Sequence, residues 1–332
     1  MTEFGAMTWN VENLFRPTLE AEDAERERYQ RKLGLLAEVI GRLAPDVVAL
    51  QEVGGEEPVE DLQGALDGTY PHRAVSDFPD GRGIRVAFLS KHTVADREDV
   101  VEFPEGPALD IHDITAEGGT EPVERMSRGA LRVRVAKEGL TVDLISAHLK
   151  SKLLSFPRPF GTSFTPRNEG ERAQVAGIAL MKRMAEAVTL RISANGLLEG
   201  SDGTPLIVLG DLNDVTEAQT SLILNGPPGS EIGTLGFDSP DKGDDARLFN
   251  LAPLIPQERR FSRVHNGRGE LLDQILASAE LFPVGEDGKR RVPDADSHVD
   301  FRERLPSITD NPGEREEDVA PDHAPVMATF DL

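Results

Sequence analysis

The sequence predicts an α/β fold: one domain over residues 1–332, with mixed β-sheets and helices packed outside them. Three observations predict it. Short apolar runs alternate with stretches of helical period. Some runs, such as Val47 to Gln51, are apolar without interruption, the pattern of strands covered on both faces. No shift in composition marks a linker between independent cores, and the length suits one large domain.

AMTW (Ala6 to Trp9) reads as the first strand. A helix follows with Leu33, Leu36, Ile40 and Leu43 on one face, and Pro45 stops it. VVALQ (Val47 to Gln51) is the next strand. Further strands are expected at Ile84 to Ser90, Leu131 to Ala136 and Leu140 to Ala147, the last two joined by a Lys137–Glu138–Gly139 turn. A long helix is predicted with Val175, Ile178, Met181, Ala185, Val188 and Ile192 towards the core. Strands at Leu206 to Gly210, Leu271 to Ser278 and Ala324 to Phe330 complete the set. Pro227 to Asp245 and Pro283 to Pro321 read as long loops, a length usually kept for function or mobility.

Composition narrows the chemistry. The chain has no cysteine, which excludes disulfides, thiolate nucleophiles and zinc–thiolate or iron–sulfur sites. Its 36 basic against 59 acidic residues give a net charge of −23, the opposite of an overall basic nucleic-acid footprint. A local basic patch or a bound metal can override that balance. No run of about 18 apolar residues predicts a membrane span, and the first residues lack a secretory pattern, so a cytoplasmic protein is expected. There is no G-x-S-x-G elbow, no H-E-x-x-H and no phosphate-cradling glycine loop.

Polar residues abut the apolar strands instead. Asn10 follows AMTW, Glu52 follows VVALQ and His148 follows LISA. Asp211 and Asn213 follow LIVLG, Asp273 lies in LLDQIL, and Asp322 and His323 precede APVMATF. Side chains at strand ends are rigidly held. If the late strands run opposite to the early ones, all of these meet at one edge. Carboxylates and amide oxygens suit a hard cation such as Mg²⁺, and two histidines beside it could contact anionic oxygens. Together they are what metal-assisted phosphate-ester hydrolysis needs. Taken singly, each residue has an ordinary reading: Asn10 as a cap, Asp211 and Asn213 as an Asx turn, Asp273 as a plain strand residue. His72, His92, His112, His265 and His298 match no pattern and read as surface or structural.

Six stretches carry a family resemblance: WNVENL (Trp9 to Leu14), DVVALQEV (Asp46 to Val53), SAHLKSK (Ser146 to Lys152), IVLGDLND (Ile207 to Asp214), LLDQILAS (Leu271 to Ser278) and PDHAPVMATF (Pro321 to Phe330). In this order they resemble the endonuclease/exonuclease/phosphatase, or deoxyribonuclease-I-like, superfamily. The resemblance implies a four-layer α/β/β/α sandwich, two mixed sheets face to face with helices outside. It implies Glu52 as main metal ligand with Asn10 beside it, and a metal-linked or orienting Asp322. Asp211 would orient or deprotonate the attacking water, Asn213 and His148 would hold the phosphate, and His323 would face it with Asp273 behind. Arg128 resembles a phosphate-contacting arginine. Mg²⁺ is the implied ion, with Mn²⁺ expected to substitute. The chain departs from some subfamilies: His148 stands where abasic-site endonucleases carry tyrosine, LLDQIL lacks the arginine of inositol-polyphosphate 5-phosphatases, and Pro321 replaces a serine.

The expected function is a divalent-metal-dependent phosphodiesterase or nuclease. A phosphomonoesterase acting on a small metabolite or lipid is the alternative, and an inactive binding protein of the same fold a third reading that the complete residue set disfavours. Partners are the phosphoester substrate, nucleic acid among the candidates. From Lys150 to Arg172 five basic residues outnumber two acidic ones, with Phe156, Phe160 and Phe164 interleaved. Lys150 and Lys152 are candidate phosphate contacts there. The stretch reads equally as a groove lining that stacks bases or as a loop tucking its phenylalanines inwards.

Overall fold

The computed structural model describes residues 2–105, 109–200, 203–239, 244–302, 307–315 and 319–332. In chain order the elements are β1 (Glu3–Leu14), α1 (Asp23–Leu43), β2 (Val47–Val53), α2 (Glu56–Ala65), β3 (His72–Val75), β4 (Arg85–Ser90), β5 (Thr93–Glu102), β6 (Arg125–Lys137), β7 (Leu140–His148), α3 (Glu169–Gly200), β8 (Leu206–Asp211), α4 (Gln219–Asn225), β9 (Leu248–Asn250), β10 (Asp273–Ser278), β11 (Asp294–Ser297) and β12 (Val326–Asp331). Three two-stranded ribbons stand apart, among them Phe156–Arg158 with Gly161–Ser163 and Arg263–His265 with Arg268–Glu270.

Two six-stranded mixed sheets form the body, in the orders β11-β12-β1-β2-β4-β3 and β9-β10-β8-β7-β6-β5. Each is built around one parallel pair, β1 with β2 and β7 with β8, flanked by antiparallel neighbours. Alternation along each strand sorts the core into three layers. Phe4, Ala6, Val47, Ala49 and Phe88 of the first sheet meet Leu131, Val133, Leu144, Ile207 and Leu209 of the second. Met7, Trp9, Val48 and Leu50 turn the other way, onto Leu33, Leu36, Val39 and Ile40 of α1. Ile145, Ala147, Val208 and Leu276 face α3. This is the four-layer sandwich that the sequence motifs imply.

The long helix is where the sequence predicts and packs through a different face. Met181 and Ile192 are exposed, and the buried residues include Ala179, Arg183, Ala185, Glu186, Ala187, Leu190 and Ala194. Small alanines allow close approach to the sheet. Arg183 and Glu186 find partners beneath the helix, so two charged residues occupy positions that an apolar count assigns to solvent. The expected loop from 283 to 321 contributes β11 to the first sheet's edge, and the loop from 227 to 245 ends in a turn of 3₁₀ helix. Residues 240–243, 303–306 and 316–318 of these two loops lie outside the described residues. Among the described residues, no helix is long and apolar enough to cross a membrane.

Register fixes the functional edge. Asp211 at the end of β8 pairs in parallel with His148 of β7 and antiparallel with Asp273 of β10, so three candidate residues stand side by side across three strands. Gly210 makes that approach possible. Its φ is 148°, and a Cβ there would lie 1.9 Å from the Ala147 carbonyl oxygen. Between the sheets, Thr8 Oγ1 donates to Gln51 Oε1 (3.1 Å), and Gln51 Nε2 donates to Ser146 Oγ (3.1 Å). This polar bridge locks the first sheet to the second one strand position or two behind the site.

Candidate functional site

The polar strand ends open into a cleft of about 490 Å³, lined by Asn10, Glu52, His148, Asp211, Asn213, Asp322 and His323 among others. Asp211 is its buried centre. Its Oδ1 accepts from the Asn213 backbone N–H and its Oδ2 from Asn10 Nδ2, both at 3.0 Å. His148 Nε2 lies 3.4 Å from the same Oδ2 and His323 Nε2 3.9 Å from it. One carboxylate oxygen thus gathers an amide and two imidazoles from both sheets.

His323 stands just before β12. Trp9 Nε1, from the neighbouring β1, donates to its carbonyl oxygen (2.8 Å) and fixes the backbone. Its Nδ1 lies 2.6 Å from Asp273 Oδ2. Ser262 holds the pair from behind: its Oγ accepts from the backbone N–H groups of Leu272 and Asp273 (3.1 and 3.0 Å), and its carbonyl accepts from Ala324 N (2.7 Å).

On the opposite wall, Glu52 occupies a bulge where the β2–β4 register shifts, and bulges re-aim side chains beside active sites. Its φ is 64°. Its Oε2 accepts from Asn13 N (3.1 Å), while Oε1 lies 3.4 Å from Asn10 Nδ2 and 3.9 Å from His148 Nε2. Four of the eight non-glycine residues described with positive φ, namely Glu12, Asn13, Glu52 and Asn213, line this cleft. Left-handed backbone in residues with a Cβ is costly, and such positions cluster at functional sites.

Charge is distributed unevenly among the three central groups. Burial pushes the His323 ring towards neutrality, but Asp273 and Asp211 outweigh it and hold its pKa up to about 10, so the ring is a cation. His148 goes the other way. Burial, then the positive charges of Arg128 and His323, keep it well below the usual histidine range. Neutral, with Nε2–H towards Asp211, it leaves a buried Nδ1 that has no hydrogen-bond partner. Burial raises the Asp211 carboxyl to about 6, moderated by the His323 cation and the Asn10 amide.

The donor set fits a hard divalent cation. Asp211, Asp273 and His323 offer ligand atoms within 4.8 Å of one another. Asp273 is fully buried, however, and its Oδ2 is already engaged with His323 Nδ1. The Glu52 carboxylate lines the cleft and offers the hard oxygen that Mg²⁺ or Mn²⁺ requires, with Asn10 beside it, whose Nδ2 faces Glu52 and Asp211 while its Oδ1 accepts from Glu12 N (3.0 Å).

Residues 7–297 match the family model described as the Endonuclease/Exonuclease/phosphatase family. The chain belongs to this family. No curated protein matches the sequence. Among solved structures it is similar to truncated TDP2 of Caenorhabditis elegans, at 15% identity and a TM-score of 0.56, covering 99% of this chain and 98% of that one. It is similar to an endonuclease/exonuclease/phosphatase of Beutenbergia cavernae (17% identity, TM-score 0.55, 99% and 72% covered). Sphingomyelinase C of Streptomyces griseocarneus gives 15% identity and a TM-score of 0.55 over the full length of both chains. At such identities the likeness is one of fold.

For this family member, the structure brings Asn10, Glu52, His148, Asp211, Asn213, Asp273, Asp322 and His323 to one edge. Asn213 Nδ2 donates to the Leu149 carbonyl (3.0 Å). Asp322 contacts Arg263 Nη2 through Oδ2 (3.2 Å), while its Oδ1 lies 3.9 Å from His323 Nε2. Arg128 is buried, donating to Asp80 Oδ2 and the Leu149 carbonyl, both at 3.2 Å, at the cleft wall. Lys152 lines the cleft and pairs with Asp214 Oδ1 (3.2 Å). Lys150 does not line it: its Nζ donates to the carbonyls of Ser151 and Leu153 (3.1 and 3.2 Å). The basic–aromatic stretch divides. Phe156 enters the core, Phe160 and Phe164 are exposed, and Arg158 forms two hydrogen bonds with Glu171 (2.7 and 3.0 Å) instead of reaching the cleft.

The sequence reading passed over Arg263 and Ser262, and it read His265, which lines the cleft, as surface or structural. The 263–270 ribbon has an Asn266–Gly267 turn that signals a hairpin, yet nothing in the sequence shows that the hairpin overhangs the cleft. A second, more apolar pocket of about 370 Å³ lies against β9, lined by Leu222, Ile232 and Phe249, and holds none of the candidate residues.

Proposed function

We propose that this protein is a divalent-metal-dependent phosphoesterase that hydrolyses a phosphodiester by in-line attack of water. The observation that carries the reading is Asp211, a buried carboxyl raised to about 6, standing between neutral His148 and cationic His323. A base whose pKa is near the working pH transfers protons efficiently. Two imidazoles in opposite charge states then offer N–H groups to one small volume where phosphoryl charge would develop.

In this reading Asp211 takes the proton of the attacking water. His323, kept charged by Asp273, donates a hydrogen bond to a phosphoryl oxygen and supplies the proton to the leaving oxygen. His148 donates through Nε2–H. Asn213 keeps one amide N–H on Leu149 and offers the second to the phosphate. Glu52 and Asn10 would hold Mg²⁺ or Mn²⁺, which supplies charge neutralisation to the phosphoryl group. Asp322, engaged with Arg263, orients the His323 side of the cleft. Arg128 and Lys152 supply positive potential at the walls.

Three exposed or half-exposed cations around the opening, Arg82, Lys152 and Arg263, favour an extended anionic phosphodiester. The test is a panel of single- and double-stranded DNA, RNA, inositol phosphates, sphingomyelin and a chromogenic phosphodiester with Mg²⁺ or Mn²⁺. Turnover of a diester that stops in Asp211→Ala supports the reading. Turnover confined to monoesters would replace it with a phosphatase.

A further inference from the structure

The catalytic reading leaves two buried charged residues of α3 unused. Arg183 and Glu186 are 5% and 1% exposed and lie three positions apart on the helix face that covers the second sheet. Burying such groups is costly unless they are fully paired, and their partners are not other helices or the sheet's apolar face. Glu186 Oε2 accepts from the backbone N–H of Lys150 (2.5 Å), and Oε1 accepts from that of Ser127 (2.9 Å). Arg183 Nη1 donates to the Lys150 carbonyl (2.9 Å), and Nε donates to Asp214 Oδ2 (3.1 Å). Lys150 is therefore gripped at both backbone polar groups by one turn of one helix.

Each partner adjoins a cleft residue. Lys150 is two residues after His148, and Leu149 between them accepts from both Asn213 Nδ2 and Arg128 Nη1. Asp214 follows Asn213, with Thr220 Oγ1 on the same carboxylate oxygen (2.9 Å) and Gln274 Nε2 on its carbonyl (2.7 Å). Ser127 precedes Arg128. Three chain segments that present His148, Asn213 and Arg128 are thus tied to two side chains of α3, behind the cleft and outside it.

We propose that Arg183 and Glu186 are positioning residues for the phosphate-facing side of the cleft: they set the placement of His148 and Asn213 without touching substrate. The proposal rests on the catalytic reading above only for its consequence on turnover; the placement of His148 is independent of it. Displacing a reacting group by about 1 Å can cost on the order of a hundredfold in rate.

The experiment compares Glu186→Gln, Arg183→Met and, as a control, Leu190→Ala, which thins the packing of the same helix in its apolar cluster without removing any hydrogen bond to the three segments. Glu186→Gln keeps shape and replaces one acceptor by a donor facing a backbone N–H. The first readout is the ring ¹⁵N and ¹³C resonances of His148 in labelled, metal-free, substrate-free protein, with melting temperature alongside. The second is kcat and KM on whichever diester the panel identifies. The proposal expects both α3 variants to move the His148 ring signals and to lower kcat about ten- to hundredfold with KM within about twofold. Leu190→Ala should lower the melting temperature at least as much and leave His148 and kcat in place. Unmoved His148 signals in Glu186→Gln, or an equal kcat loss in Leu190→Ala, would overturn it. If no panel substrate is turned over, the catalytic reading fails and the ring signals still decide this one.

Discussion

His323 meets Asp273 through Nδ1 at 2.6 Å and points Nε2 at Asp211, 3.9 Å away, so one ring is bracketed by two buried carboxyl groups. The bracket decides its charge. Burial alone would make it neutral, and the two neighbours hold it up to about 10. The sign follows from linkage: a group whose folded pKa exceeds its unfolded value of about 6.5 adds stability that is complete below 6.5 and lost as pH rises towards 10. The His323 imidazolium should be visible by NMR well above pH 7 in the metal-free protein. Asp273→Asn should bring its titration down and flatten the loss of stability between about pH 6.5 and 10. A wild-type His323 that titrates near 6.5 would refute the bracket.

Asp211 gives the same sign of pH dependence through the opposite effect on charge: burial disfavours its ionised form. Its carboxyl is raised to about 6 from 3.8, so its ionisation opposes folding once pH rises through that interval. Asp211→Asn removes the charge and can still accept from Asn213 N. At neutral pH the metal-free variant should melt at or above the wild-type temperature while turnover falls roughly 10²–10⁴-fold. Calorimetry beside kinetics checks both; a variant that is less stable at pH 7 would mean that Asp211 is structural.

Much of this arrangement was legible in the sequence, for physical reasons. Apolar runs fixed where strands lie, because a buried strand must be continuous or alternating. Polar residues at their ends, such as Asn10, Glu52, His148 and Asp211, stood out because each interrupts an apolar context. The assumption that late strands run opposite to early ones was enough to bring His323 and Asp273 to Asp211. The buried face of α3 was not legible. Arg183 and Glu186 read as solvent-facing until their backbone partners, Lys150 and Ser127, are known, and those contacts span 33 and 59 positions. The bulge at Glu52 was equally hidden, since a register shift belongs to a pair of strands and not to either sequence. The Lys150–Arg172 stretch misled through composition: charge counts do not reveal that Arg158 is already committed to Glu171.

The Glu52 carboxylate at the cleft, with Asn10 beside it, makes activity expected to depend on added divalent metal. EDTA should abolish turnover, and Mg²⁺ or Mn²⁺ should restore it. Glu52→Gln should weaken Mn²⁺ binding, followed by calorimetry or EPR, at least as much as the roughly 10–100-fold that loss of an outer-shell partner costs. Chelator-resistant turnover, or unaltered Mn²⁺ affinity in Glu52→Gln, would remove the metal from Glu52.

Two basic residues in the same stretch should behave differently. Lys152 is about half exposed at the cleft, and its partner Asp214 is shared with Arg183, so its charge is available to an incoming anion. Arg158 is held in two hydrogen bonds by Glu171 and stacks over Phe156, away from the cleft. Lys152→Ala should raise KM several-fold and make the reaction less sensitive to salt, since rim charges act mainly on encounter. Arg158→Ala should leave KM and kcat unchanged and loosen the 156–163 ribbon, seen as faster proteolysis there. Equal effects of the two substitutions on KM would mean that the ribbon folds over the substrate, with Arg158 exchanging Glu171 for phosphate.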